Sequence, residues 1–343
     1  MEVTASIFCC CCFYILSCNA LSSDQNDVIV AGYLPDYRSY IAINSKTANF
    51  LSDIILFSLA PSSLGRLKES DGSSCCLDKS HYEKARAARE LNPDLMKLVS
   101  IGGGGRSQFF ALLASNKETR KFFVQEMVSL CNEEELNGID LDWEQPTSKK
   151  EYMSYLYLIT EASVALHEAG YILSVALHVN QFLPKNVYPY IDRIHLMAYD
   201  IIQMGNHHSS YENVAKAVDD HIASGCDPGT IVLGVPAYGR QGMNPGNVKT
   251  YSEIIDEFVS VSGGLQSNQN QILSMDKYEE YFFDSPNITK LKAEMVIQKG
   301  LAGVFIFEIG QDFRDNNFYS GGLLLESVSS LLKSKNLKVE VEL

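Results

Sequence analysis

The sequence predicts a single α/β domain built as a parallel (β/α)8 barrel, and three observations lead to it. Eight short apolar runs of strand length recur along the chain, amphipathic segments of helical length separate them, and polar or aromatic residues collect at the C-terminal ends of the runs. The chain has 343 residues, long enough for two ordinary domains or one large barrel, and its 46% hydrophobic content supports a sizeable core. A doubly wound open sheet is the other arrangement that alternates strands with helices.

In order, the strands are predicted at Val28 to Tyr33, Ile54 to Ala60, Lys97 to Ile101, Gly138 to Trp143, Ile172 to Leu177, Ile191 to Met197, Ile231 to Val235 and Gly303 to Phe307. Helices are predicted over Lys79 to Leu91, Lys117 to Glu134, Lys149 to His167, Tyr211 to Ser224 and Asn287 to Lys299. The third of these has the pattern of a capping box, Ser148 with Glu151 three residues on, and Gly170 lies just past its end. Gly225 and Gly300 close two others. A parallel barrel carries its active site at the C-terminal ends of its strands. This chain places Tyr33, Ser100, Glu144, Tyr199 with Asp200, and Tyr238 with Arg240 there.

The fourth run says the most about chemistry. In Ile139-Asp140-Leu141-Asp142-Trp143-Glu144, strand parity sets three carboxylates on one face and three large apolar groups on the other. Alternate side chains on one face stand about 7 Å apart, so the charges repel where water is scarce unless at least one carboxyl holds a proton. A carboxylic acid kept protonated is what general-acid catalysis needs. Two blander readings are a solvated acidic face and a metal site. The intervening residues are too apolar for a strand solvated on both sides. A calcium loop counted from Asp140 would need Gly where Gln145 stands and Glu where Tyr152 stands. Trp143, by the same parity, faces away from the carboxylates into the barrel wall.

Two other motifs carry less. Gly102 to Gly105 matches neither nucleotide fingerprint, with Ser100 and Arg106 where a phosphate loop needs Gly and Lys, so the glycines are expected to admit a substrate or a neighbouring backbone. His207-His208 has no recognisable partner and is expected on a loop surface.

A formal charge of -14 argues against nucleic acid or an anionic membrane as partner and favours a neutral substrate. Ala5 to Leu16 has the length of a signal-peptide core, and Cys18-Asn19-Ala20 offers small residues for cleavage after Ala20, although Glu2 precedes it and no Lys or Arg does. A short anchor is the alternative. The expected organisation is a cleaved leader over 1–20, one catalytic domain over 21–332 and a short charged tail over 333–343, giving a secreted, extracellular monomer with no membrane attachment once the leader is gone. Five of nine cysteines lie in the leader; Cys75, Cys76, Cys131 and Cys226 form neither a disulfide scaffold nor a zinc site and read as free thiols. Asn287-Ile288-Thr289 is the one glycosylation sequon.

Asp140, Asp142 and Glu144 fit the D-x-x-D-x-D-x-E signature that ends the fourth barrel strand of glycoside hydrolase family 18, the chitinase family, which this chain resembles. Ser100-Ile101-Gly102-Gly103 is similar to that family's S-x-G-G on strand three, Met197-Ala198-Tyr199-Asp200 to its M-x-Y-D on strand six, and Gly234-Val235-Pro236-Ala237-Tyr238-Gly239-Arg240 to its strand-seven motif. The resemblance runs from about Val28 to about Leu332. It implies a (β/α)8 TIM barrel and a retaining mechanism in which the substrate's own N-acetyl group is the nucleophile, without metal or organic cofactor. Glu144 would protonate the glycosidic oxygen and then activate water. Asp142 would orient the acetamido group and stabilise the oxazolinium ion, and Asp140 would share a proton or hydrogen bond with Asp142. Tyr199 would bond the acetamide oxygen, Asp200 and Arg240 would bind neighbouring sugars, Tyr33 and Ser100 would support Asp140, and Met197 and Phe307 would line the substrate site.

The chain departs from the pattern at two points. Asn137 replaces the first Asp of the signature, and Phe307 stands where the family carries Trp as the floor under the reacting sugar. Phe offers a smaller apolar face and no indole N–H, so weaker substrate binding is expected. Gln241 to Lys299 is short for the full α+β module many members insert between strands seven and eight, so a shallow, open cleft and endo cleavage are expected. The implied partners are chitin or other N-acetylglucosamine-containing glycans. An endo-N-acetylglucosaminidase of N-glycans and a chitin-binding lectin that has lost activity are the alternatives.

Overall fold

A computed structural model describes residues 28–38, 43–67, 77–202, 207–315 and 319–341, with side chains to Ser334. The leader, Cys75 and Cys76 lie outside the described residues. The first half of the chain runs β1 (Ile29–Pro35), α1 (Ser45–Phe50), β2 (Asp53–Leu59), α2 (Lys79–Leu91), β3 (Met96–Gly102), α3 (Phe110–Ser115), α4 (Lys117–Glu134), β4 (Gly138–Asp142), α5 (Lys149–Glu168) and β5 (Ile172–His178). The second half runs β6 (Arg193–Met197), α6 (Tyr211–Ser224), β7 (Ile231–Pro236), β8 (Tyr238–Gln241), β9 (Val248–Thr250), α7 (Tyr251–Ser262), α8 (Leu265–Ser274), β10 (Lys277–Tyr278), β11 (Tyr281–Phe282), α9 (Pro286–Lys299), β12 (Gly303–Phe307) and α10 (Leu323–Val341).

Eight of the strands close a parallel barrel in the order β1-β12-β7-β6-β5-β4-β3-β2. All eight strand positions expected from the apolar runs are present, so the open sheet is excluded. The sixth begins at Arg193 rather than Ile191, because a 3-10 turn over Tyr188–Tyr190 delivers the chain to it.

Strand parity sorts the core into two layers. Ile139 and Leu141 of β4 are fully buried between the barrel and its helices, while Asp140 and Asp142 face the interior with Ala31, Tyr33, Ile55, Leu98, Val232 and Phe305. Trp143 is 3% exposed and stacks on Phe110 at 5.3 Å, with Tyr155 edge-on, so it belongs to the wall as its parity indicates. Full burial of such side chains contributes about 1.5–3 kcal/mol each.

The helix signals hold with one change. Ser148 caps α5 by accepting from the Glu151 N–H at 3.2 Å, but the Glu151 carboxylate turns to the Thr147 N–H and hydroxyl instead of completing the box. Gly225 and Gly300 end α6 and α9 in the left-handed conformation.

The segment between β7 and β12 is short for an α+β module, yet it builds a small one. Its strands make an antiparallel sheet in the order β10-β11-β8-β9, with α7 and α8 alongside. Arg240 of β8 and Val248 of β9 line the cavity at the mouth of the barrel.

Candidate active site

The parallel register places Ser100 of β3, Asp140 of β4 and Ser174 of β5 side by side. Asp140 is fully buried. Its Oδ1 accepts from the Ser174 hydroxyl at 2.7 Å and lies 3.0 Å from His195 Nδ1, and its Oδ2 accepts from the Tyr33 hydroxyl at 2.9 Å. Burial alone would raise the proton affinity of this carboxyl, but the neighbouring His195 and these hydrogen bonds outweigh it and hold Asp140 below the usual carboxylate range. Tyr33 is driven the other way, by burial and by Asp140 and Asp142, so its hydroxyl keeps its proton and remains a donor.

Asp142, two residues on, has the opposite setting. It is 3% exposed, and its Oδ1 has no hydrogen-bond partner among the described protein groups. Burial first, then the charges of Glu144 and Asp140, raise its proton affinity well above the ordinary Asp range. Of the two buried acids on this strand, Asp142 is the one whose surroundings favour the protonated form. Glu144 is partly exposed at the mouth, with His178 Nε2 of β5 at 3.6 Å from its Oε2.

The glycine run serves this strand end. At Gly102, φ is +109° and a Cβ would fall 2.0 Å from the Asp142 carbonyl oxygen; the Gly103 N–H donates to that oxygen at 2.7 Å. Only glycine lets β3 approach β4 so closely. Arg106, just beyond, makes a paired bond to Asp36 at 2.9 Å and another to the Ser58 carbonyl, tying the rims of β1, β2 and β3 together.

These residues open into a cavity of about 340 Å³ whose lining includes Tyr33, Asp142, Glu144, Met197, Tyr199, Asp200, Arg240 and Phe307. Phe307 packs against Tyr33 at 5.6 Å, Phe57 at 5.4 Å and, nearly parallel, Tyr199 at 5.9 Å, which gives the cavity an aromatic floor. Burial keeps the Tyr199 hydroxyl protonated, with Tyr238 and Asp142 adding to the effect.

Asp200 and Arg240, expected to bind neighbouring sugars, are bonded to each other. Arg240 holds Asp200 through both Nε and Nη2 at 2.5 Å; the Tyr238 hydroxyl donates to Asp200 at 2.9 Å, and His208 Nδ1 lies at 3.1 Å. Burial opposes ionisation here, but His208 and Arg240 override it and hold Asp200 far below the usual range. His208 is thus not on a loop surface: it is 2% exposed and stacks on Tyr238 at 5.1 Å. Its loop is pinned by Lys292, fully buried, which donates to Asp284 and to the Ser209 hydroxyl and carbonyl. Breaking such a buried pair costs about 3–5 kcal/mol.

Ser100 needs a correction as well. It is fully buried next to Asp140 in register, but its hydroxyl makes no hydrogen bond. Ser174 and His195, which the sequence analysis did not single out, hold Asp140 instead. The sequence signal is weak: Ser174 is a polar residue in the middle of an apolar run, and His195 shares its inward parity with Arg193. Asn137 lies below the site at the start of β4, where its side chain accepts from the Lys97 N–H at 2.9 Å and from Arg89 at 3.4 Å. Asn287 is exposed on the first turn of α9. Cys131 and Cys226 are free and buried. Among the described residues no group of three His, Cys, Asp or Glu side chains is placed to hold a metal, and no helix is long and apolar enough to cross a membrane.

A closed parallel barrel with three carboxylates in line from its interior to the mouth of an aromatic-floored cavity has the architecture of a glycoside hydrolase. Residues 29–312 match the model of the glycosyl hydrolases of family 18, and the chain belongs to that family. Among characterised relatives it is similar to a class V chitinase of Lotus japonicus, 25% identical over 274 residues that make up 65% of this chain and 68% of the relative. It is likewise similar to an endochitinase of Metarhizium robertsii, 25% identical over 65% of this chain and 63% of that one, less than two thirds of the relative's length. In fold it is similar to the chitinase ChiB of Flavobacterium johnsoniae, with a TM-score of 0.74 at 21% identity over 91% of this chain and 96% of the other. It also matches a class V chitinase of Cycas revoluta solved with (GlcNAc)3, with a TM-score of 0.73 at 20% identity over 88% and 99%.

Proposed function

We propose that the chain hydrolyses β-1,4-linked N-acetylglucosamine chains by a retaining, substrate-assisted mechanism. The observation that carries this is the opposed setting of two acids on one strand. Asp140 is held as an anion by three donors, and Asp142 keeps a proton beside Glu144 at the cavity mouth. Glu144 protonates the glycosidic oxygen as the bond breaks, while the acetamido carbonyl oxygen attacks the anomeric carbon from the opposite face. Asp142 directs the acetamido N–H and, as the proton it shares with Asp140 shifts to Asp140, becomes the anion beside the oxazolinium ion, and the Tyr199 hydroxyl donates to the acetamido oxygen. Glu144, now a carboxylate, takes a proton from the water that opens the ring and restores the configuration. The sugar ring rests on Phe307, a smaller platform than an indole. The chitinase relatives and the neutral substrate favoured by a charge of -14 point the same way.

The test is one assay on colloidal chitin, chito-oligosaccharides and a high-mannose glycoprotein. Turnover of the first two and a fall of about 10²–10⁴-fold in Glu144→Gln, with oligosaccharide binding kept, is the expected result. Glycan release from the glycoprotein without action on chito-oligosaccharides would replace this substrate. Binding without turnover in the wild type would make the protein a lectin. Secretion is proposed with it, and N-terminal sequencing of the exported protein should begin after Ala20.

A further inference from the structure

The acid strand β4 and its neighbour β5 match level by level. Their register sets Asp140 beside Ser174, and the same pairing carried toward the mouth sets Asp142 beside Ala176 and Glu144 beside His178. Ser174 donates to Asp140 at 2.7 Å; Ala176 has nothing to donate, and Asp142 Oδ1 goes without a partner; His178 brings its Nε2 to 3.6 Å from Glu144 Oε2. We propose that His178, which the steps given above do not use, is a positioning residue for the reaction: its Nε2–H turns to Glu144 and holds the carboxylate that forms when the glycosidic oxygen takes the proton.

Side-chain parity puts Ser174, Ala176 and His178 on the inward face of β5, and Ala176 and His178 line the cavity together with Asp142 and Glu144. The backbone under the imidazole is fixed: the His178 N–H donates to the Gln181 side chain at 3.4 Å, its carbonyl accepts from the Gln181 N–H at 2.9 Å, and Gln181 is buried. The Glu144 backbone is fixed as well, its N–H donating to the Ser107 hydroxyl at 3.1 Å. Only the two side-chain ends are left to move, and both are partly exposed. On the β3 side the acid meets Gly104, where a Cβ would stand 3.8 Å from Glu144 Oε2, so no side chain competes for the carboxyl there. Among the described residues no other Lys, Arg or His comes within 4.0 Å of it.

At 3.6 Å the two groups stand just beyond a hydrogen bond, and catalytic contacts of this kind tighten when substrate fills the site. A carboxylate facing a bare Nε2 would set lone pair against lone pair, so once Glu144 has given up its proton the Nε2 that faces it carries a hydrogen. That state lies between the two halves of the reaction. The leaving sugar has taken the proton, and Glu144 must now point at the water from which it regains one. A hydrogen bond gained as the carboxylate charge develops acts on turnover more than on binding.

The inference rests on the glycosidase reading, and its test separates the two. Wild type and His178→Ala are compared by kcat/KM on a chito-oligosaccharide, whose sugar leaving group must be protonated, and on 2,4-dinitrophenyl chitobioside, whose phenolate leaves without a proton. His178→Ala should lose about tenfold on the first, through kcat with KM little changed, and stay within about twofold of wild type on the second. His178→Gln keeps an N–H at that height and should recover most of the loss. In a Glu144→Gln background, adding His178→Ala should alter neither the residual turnover nor the dissociation constant for the oligosaccharide, because the group it acts on is gone. Equal losses on both substrates would make His178 a structural residue, weaker oligosaccharide binding in the double variant would make it a sugar contact, and no loss on either would leave it idle. Each of these overturns the proposal and leaves the glycosidase reading standing. A wild type inert on both substrates overturns the glycosidase reading, and this role with it.

Discussion

Asp142 on β4 and Asp200 after β6 line one cavity and have opposite electrostatic fates. Asp142 is nearly inaccessible and lacks a donor on one oxygen, so burial and its acidic neighbours load it with a proton. Asp200 takes Arg240 on both oxygens, with Tyr238 and His208 on one, and stays an anion into strong acid. The cavity wall thus has a side whose charge changes during a reaction and a side whose charge is permanent. Donor supply, more than depth, separates them: Asp140 is buried as deeply as Asp142 and still behaves like Asp200.

The sharpest way to break this contrast is Asp142→Asn. Turnover should fall about 10²–10³-fold, since the amide cannot supply an anion beside the oxazolinium. The variant should nevertheless be more stable than the wild type at neutral pH, and the sign follows from linkage. A carboxyl with a raised folded pKa contributes stability that is fully present below its ordinary value of 3.8 and is lost as pH rises through the raised one. The amide has no such loss, so thermal midpoints measured from pH 4 to 8 should diverge in its favour, on the order of 2 °C or more at the upper end.

Asp200→Asn should do the reverse. It leaves Arg240 without its anion, so stability should fall by about 2 kcal/mol in denaturant unfolding. KM should rise about tenfold as the rim loosens, with a smaller change in kcat. Because the folded pKa of Asp200 is depressed, this stability gap should persist at every pH above the ordinary Asp range and close only in strong acid. A variant as stable as the wild type would mean that Tyr238 and His208 suffice to hold the loop. The smallest effect expected is at the floor. Phe307→Trp should lower KM about threefold by enlarging the stacking face, with kcat unchanged, in a steady-state assay on chito-oligosaccharides.

Much of this was legible in the chain itself. The β4 carboxylates, the inward turn of their side chains and the outward turn of Trp143 follow from a period of two, which a strand covered on both faces has to obey. The glycines of β3 could be assigned to close backbone approach because they miss both phosphate fingerprints. What stayed hidden were partners contributed by other strands. Ser100 and Ser174 both sit beside Asp140 in register, and rotamer and local packing, which no spacing encodes, decide that Ser174 turns its hydroxyl toward the acid. His208 was set on the surface because neither the αL turn at Asp200 nor the buried Lys292 that pins the loop has a local sequence signal.

The sequence by itself determined the barrel, the strand that bears the acids and the family, because each rests on periodicity and spacing along one chain. Only the tertiary structure decided which acid holds the proton. Proton affinity depends on donors and charges gathered from β1, β4, β5 and β6 within a few ångströms of one another, and closure of the barrel alone brings them there.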